Sequence, residues 1–198
     1  MSKIDSWFPT LIYSHKLDVF KNNDYLKEKA LSLKEEYNSK TLNEWKCDTF
    51  NTLSQYDDYN NDVIIKKLIG YVKQHVIHFS KEFGVKSENI ECKNFWFNVA
   101  SPENYQEYHY HPNNHFSVVY YVQTPPNCGN IVLRPSDSFT DMYSLPIEEY
   151  NNNSYKTCFY KPYESMLLIF KSNLLHMVEK NKSDSDRISI AMNFTYRG

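Results

Sequence analysis

The chain has 198 residues and a formal net charge of −2. That length suits one domain, 1–198, burying about 70% of the surface its unfolded chain exposes. A near-neutral balance gives no basic field to hold nucleic acid. No apolar run approaches the ~20 residues of a membrane span, and the start Met1-Ser2-Lys3-Ile4-Asp5 lacks the apolar stretch of a secretory signal. A soluble, cytoplasmic protein is therefore expected. Cys47, Cys92, Cys128 and Cys158 form no Cys-x-x-Cys pair and read as free thiols. Aromatic residues make up 16% of the chain, which favours β-structure. The positive charge is almost all lysine. The only arginines are Arg134, Arg187 and Arg197, which raises the question of what needs a guanidinium inside a strand at position 187.

Residues 1–88 read as mainly helical. After a short extended segment, 7–13, Asn23 or Asp24 can cap a helix running to about Lys40, with Leu26, Ala30, Leu33 and Tyr37 on one face. A second helix is expected from near Asp62 to Phe83. Its stripe would be Ile64, Leu68, Val72, His75, Phe79 and Phe83, and Gly84 would end it. Between them, Trp45 to Tyr59 reads as an irregular loop.

Residues 89–198 read as a β core. Strands are expected at Lys93–Val99, Phe116–Val122, Gly129–Leu133, Tyr155–Tyr160, Ser165–Phe170 and Arg187–Tyr196, separated by Pro, Gly and Asn turns. Helices followed by short strands point to a mainly β jelly roll with the helices packed on one face. The stretch Asp137 to Asn153 reads as a long surface loop over the site.

The chemistry concentrates in His109-Tyr110-His111-Pro112, with His176 and Arg187 far downstream. Alternate residues of a strand face the same way, so His109 and His111 at a strand mouth could meet one ion while Tyr110 points out. Neutral imidazole is a common metal ligand. Three of them suit zinc, ferrous iron, copper or manganese. His75 reads as a core or boundary residue, His78 as solvent-facing, and His15 as unpartnered. His115 is a lesser candidate for the metal or substrate. Arg187 could hold the far carboxylate of a chelating dicarboxylate by a bidentate pair, or form a surface salt bridge with Asp184 or Asp186. Trp96, Tyr120, Tyr121 and Tyr143 could wall the pocket.

These residues resemble the 2-oxoglutarate- and iron(II)-dependent oxygenases, and most closely a small branch of that superfamily. The resemblance rests on linked blocks: Phe95-Trp96-Phe97-Asn98-Val99, His109-Tyr110-His111-Pro112-Asn113-Asn114, Phe116 to Val122, Pro125 to Ile131, Leu167 to Val178 and Arg187 to Phe194. It implies a double-stranded β-helix with iron(II) held by His109, His111 and His176. Arg187 would then pair with the distal carboxylate of 2-oxoglutarate, supported by Tyr120, Ser189 and Asn98. It further implies dioxygen as oxidant, succinate and carbon dioxide as co-products, and hydroxylation of a substrate that the sequence does not name. A homodimer is implied by analogy alone. The chain departs from the pattern at three places. His111 stands where the superfamily usually carries Asp or Glu, Val118 replaces a glycine, and Glu164-Ser165 replaces a turn glycine. Two other readings compete on the residues alone: a cupin-type metal site working without 2-oxoglutarate, and a non-catalytic jelly-roll binding module.

Overall fold

A computed structural model describes the protein at residues 2–6, 8–37, 46–53, 58–86, 88–135 and 146–197. Among the described residues, ten strands form two antiparallel sheets. They are β1 (Ile12–Lys16), β2 (Phe50–Asn51), β3 (Ile90–Ala100), β4 (Gln106–His109), β5 (Phe116–Gln123), β6 (Ile131–Arg134), β7 (Cys158–Tyr160), β8 (Met166–Lys171), β9 (Leu175–Val178) and β10 (Arg187–Tyr196). The larger sheet has the order β1-β8-β5-β10-β3-β2, and the smaller β4-β9-β6-β7. Helices α1 (Asn23–Tyr37) and α2 (Val63–Ser80) pack on the large sheet. The result is the mainly β jelly roll with helices on one face that the sequence implies.

The layers follow from side-chain alternation. In β10, Ile188, Ile190, Met192 and Phe194 join Leu68, Val72 and Val76 of α2 and Leu26, Ala30 and Leu33 of α1 in one apolar core. The intervening Arg187, Ser189, Ala191 and Asn193 line a cavity between the sheets. Strand β5 divides the same way: Phe116, Val118, Tyr120 and Val122 face the helices, while Ser117, Val119 and Tyr121 face the cavity. Each large apolar side chain so buried contributes roughly 1.5–3 kcal/mol. The central strands are thus covered on both faces, rather than half buried as the Ile-Ser-Ile-Ala alternation implies.

Helix α2 starts where expected, because the Asp62 carboxylate accepts from the N–H groups of Ile64 and Ile65. A short 3-10 turn, Lys81–Phe83, follows it, and Gly84 at φ +74° ends the run. The buried stripe includes Ile65 and Val76, with Ile64 and His75 only partly covered. The first expected helix is described as far as Tyr37; residues 38–40 lie outside the described residues. So do Trp45, Tyr143 and residues 137–145 of the expected surface loop. The 45–59 segment is not wholly irregular. Phe50–Asn51 adds to the edge of the large sheet beside Val99 and Asn98, an addition two residues long that leaves no readable period. Strands β4 and β9 are likewise absent from the sequence expectation. They are short, and their histidines interrupt any apolar alternation.

At the turn entering β6 two backbone segments press closely together. Gly129 sits at φ +86°, and a Cβ there would lie 2.4 Å from the Glu179 carbonyl oxygen and 2.8 Å from that of Lys180. Only glycine allows this backbone to press on the strand end after β9. Replacing it by alanine forces a left-handed residue and a backbone clash together. Gly129→Ala should therefore cost at least about 2 kcal/mol, read as a lower urea midpoint with the slope unchanged.

Candidate metal centre

The smaller sheet brings two distant segments together. His109 at the end of β4 pairs directly with His176 of β9, so their side chains share one face. His111 arrives differently from the expectation. The strand stops at His109, with a register irregularity between Gln106 and His109. His111 follows beyond the strand, with its backbone N–H donating to the Ser172 carbonyl at 2.9 Å. Ser172 lies in the turn joining β8 to β9, so the loop that carries His111 is clamped to the strand pair that carries His176. Tyr110 points outward and is 56% exposed.

The three imidazoles converge. Ring centroids stand 4.2 Å apart for His109–His176 and 5.1 Å for His111 against each of the others. One ligand nitrogen from each lies within 4.8 Å of the other two. His109 Nδ1 meets the Glu107 carbonyl at 2.7 Å and His176 Nδ1 meets that of Leu174 at 2.9 Å. A carbonyl only accepts, so both Nδ1 atoms carry the proton and both lone pairs sit on Nε2. This tautomer leaves each Nε2 free to ligate a metal. Burial holds all three rings below the ordinary histidine range. For His111 it acts with the neighbouring His109 and pushes the value down to about 3; for His176 the two other histidines add to it. The donor set is neutral, nitrogen-only and closely spaced. It fits a divalent transition metal such as iron(II) without further rearrangement of ligand type.

Arg187 lines the same cavity and is 4% exposed. Its Nη1 donates to the carbonyls of Cys128 at 2.5 Å and Glu179 at 3.3 Å. Among the described residues no carboxylate pairs with it. Asp186, offered as a surface partner by the sequence, instead bonds Lys34 at 3.1 Å, and Asp184 takes the Ser185 hydroxyl. Burial lowers the guanidinium below its usual value, and the nearby Tyr121 and Cys128 oppose that shift. A buried cation without an anion is costly, and a bound anion would relieve the cost.

Ser189 and Asn98, which the family resemblance assigns to the co-substrate, both line this cavity. Tyr120 does not. Its ring lies in the helix-side core, edge-on to Phe20, and its hydroxyl donates to Asn23 Oδ1 at 2.6 Å. The residue in the cavity is Tyr121. Its hydroxyl is fully buried beside Arg187 with no hydrogen-bond partner among the described residues, and burial raises its pKa well above the usual phenol value. A single step along a strand reverses the face, and a register irregularity between Ile188 and Ser189 sets Tyr121 opposite Ser189. Two adjacent tyrosines cannot be told apart by composition. Only the parity of Ser117 and Tyr121 against the apolar Val118 and Tyr120 holds the signal.

The other histidines stay apart. His115 is exposed and its Nδ1 lies 2.8 Å from the Thr195 hydroxyl. His75 is partly buried and bonds the Tyr13 hydroxyl at 2.8 Å, His15 packs against its ring, and His78 is exposed.

A family model described as "Putative 2OG-Fe(II) oxygenase" matches residues 94–193. The chain belongs to this family. Membership brings iron(II), 2-oxoglutarate and dioxygen as the oxygenase's cofactor and co-substrates. Solved structures share the fold. A prolyl-4-hydroxylase from Pseudomonas putida is 12% identical with a TM-score of 0.62, over 96% of this chain and 94% of that one. The viral collagen prolyl hydroxylase of Paramecium Bursaria Chlorella virus-1 is 12% identical with a TM-score of 0.58, over 94% and 96%. A non-heme alpha-ketoglutarate-dependent carbocyclase from nogalamycin biosynthesis is 10% identical with a TM-score of 0.66, over 94% and 80%. No curated protein matches the sequence. Among the described residues no helix is long and apolar enough to cross a membrane.

The buried neutral histidines give the metal-free oxygenase a defined pH response. Their folded pKa values lie below the unfolded value of about 6.5. Below that pH the unfolded chain binds protons that the folded chain refuses, so stability falls on acidification. The loss is about 1.4 kcal/mol per pH unit for each ring that stays neutral. For His111 it continues from about pH 6.5 down to about 3. Urea midpoints of metal-free protein should fall between pH 7.5 and 5.5, and His111→Asn should flatten that fall. A midpoint that rises on acidification would mean that the rings gain partners which stabilise their charged forms.

Proposed function

We propose that the oxygenase hydroxylates its substrate at a mononuclear iron(II) centre held by His109, His111 and His176, with 2-oxoglutarate anchored by Arg187. The observation that carries this reading is the buried guanidinium, unpaired with any carboxylate among the described residues, in the same cavity as three converging imidazoles. Iron(II) with 2-oxoglutarate supplies the oxidising chemistry: one atom of dioxygen leaves in succinate beside carbon dioxide, and the other enters a substrate C–H bond as hydroxyl.

The chain's own groups do the rest. The Glu107 and Leu174 carbonyls hold two imidazoles in the ligating tautomer. Arg187 presents a charged fork to the co-substrate's far carboxylate, where charge-assisted hydrogen bonds are worth roughly 1.5–3 kcal/mol. The unsatisfied Tyr121 hydroxyl beside Arg187 joins it, and its strand partner Ser189 lines the same cavity. Val119, Ile131, Phe170 and Val178 line the interior and exclude water. His111 in place of a carboxylate leaves the ligand set one negative charge short of the usual arrangement, which favours retention of an anionic co-substrate. A cupin-type site working without 2-oxoglutarate has no use for Arg187.

Purified protein given iron(II), 2-oxoglutarate and air should form succinate slowly without added substrate, and His176→Ala should abolish this. Arg187→Lys should raise the 2-oxoglutarate requirement roughly tenfold while leaving metal affinity unchanged. The two tyrosines should separate cleanly. Tyr121→Phe should weaken 2-oxoglutarate binding. Tyr120→Phe should leave it intact and cost about 1 kcal/mol of stability through the lost bond to Asn23. Succinate formation that survives loss of His176, or an equal loss of metal and 2-oxoglutarate in Arg187→Lys, would contradict the assignment.

A further inference from the structure

Strand register places one polar side chain from each of four neighbouring strands in a single row. Tyr121 of β5 pairs with Ser189 of β10, Ser189 with Asn98 of β3, and Asn98 with Asn51 of β2. All four line the cavity. The row runs from the buried floor beside Arg187 to the rim, where Leu53, 36% exposed, and Tyr110 mark the mouth. Its inner half, Tyr121 and Ser189, is accounted for by the co-substrate. Its outer half is not.

Asn98 makes no side-chain hydrogen bond among the described residues. Asn51 uses only its Oδ1, which accepts the Leu53 N–H at 3.3 Å. Two carboxamides therefore stand side by side at the entrance, each offering donors and an acceptor. Trp96 lies two residues before Asn98 on β3 and so on the same face, its ring 5.5 Å from that of His111, and supplies a flat apolar surface beside the histidines. Charge is the deciding feature. Of the described residues lining the cavity, Arg187 alone carries a fixed charge, and it is 4% exposed. A charged group entering beside Asn51 and Asn98 would lose water and meet no counter-charge among these residues. A group with both a donor and an acceptor and no charge would meet both from the asparagines.

Resting on the oxygenase reading of the site, we infer that Asn51 and Asn98 recognise the substrate, and that they take an uncharged amide group on a flat body stacked over Trp96. This assigns β2, a two-residue strand at the sheet edge, as part of the substrate wall. It also moves Asn98 from the co-substrate, where the family resemblance would put it, to the substrate.

The test uses the full chain with zinc(II) as a redox-inert ion and 2-oxoglutarate, titrated with benzamide, benzoate and benzylamine by saturation-transfer NMR. Benzamide should bind at least about fivefold tighter than either charged analogue, and Asn51→Ala or Asn98→Ala should each remove that advantage. Asn98→Asp should shift the preference to the benzylammonium ion. The 2-oxoglutarate affinity, measured on the same samples, should stay within about twofold of the parent. Where an alanine variant fails to fold by circular dichroism, the serine variant gives the same comparison. The inference is overturned by benzoate binding as tightly as benzamide, by no binding of any of the three, or by variants that bind as the parent does. A loss of 2-oxoglutarate affinity with Asn98 overturns it as well, by returning that residue to the co-substrate. Failure of the parent to bind zinc or 2-oxoglutarate would instead sink the oxygenase reading, and the benzamide-to-benzoate ratio of the free protein would still decide the amide pair.

Discussion

The Arg187 guanidinium is held by two backbone carbonyls, those of Cys128 and Glu179, and no carboxylate among the described residues answers it. Each carbonyl lies where it does because of something else. Cys128 precedes Gly129, whose missing side chain lets the turn press against Glu179. Glu179 closes the contact, donating its backbone N–H to the Asn130 carbonyl while its carboxylate accepts the Asn130 N–H. The fold thus uses this close backbone contact to place a charge that no anion among the described residues answers. Such an arrangement is unfavourable in isolation and becomes reasonable when a ligand supplies the anion.

The histidines are placed by a second device. Direct cross-strand pairing of His109 with His176 fixes two rings, and a loop tied to Ser172 delivers the third. Behind the loop, the Ser117 hydroxyl lies 2.9 Å from that of Ser172 and 3.0 Å from Asn193 Oδ1. The polar network holding the loop is anchored in the two central strands of the large sheet. The histidine cluster and the buried guanidinium therefore share one scaffold, with β10 carrying Arg187 at its start and Asn193 three residues before its end.

Much of this was legible because apolar periodicity survives wherever a strand is long or a helix has one wet face. Both helices and the strands at 90–100, 116–123, 166–171 and 187–196 belong to that class. Legibility failed where elements are short or functional. Strands β2, β4 and β9 have two to four residues each, and histidines occupy the inward positions that aliphatic residues would otherwise mark. The parity error at Tyr120 has the same origin. Two adjacent aromatics in a strand covered on both faces give no amphipathic cue, and only the pairing partner decides which enters the cavity. Arg187 was identifiable because the chain uses arginine so sparingly. Its neighbour Asp186 pairs with Lys34 across the fold, a contact 152 residues apart in sequence that no local pattern reveals.

The account stands on the linkage between a three-imidazole metal centre and the lone guanidinium at the cavity floor. The most direct measurement is an anaerobic titration of the iron(II)-loaded protein with 2-oxoglutarate, followed by the visible charge-transfer absorption of the chelated co-substrate. The account predicts a saturable band in the parent, no band in His109→Ala, and a band in Arg187→Ala that needs far higher 2-oxoglutarate. A band that saturates at the same concentration with and without Arg187 would contradict it.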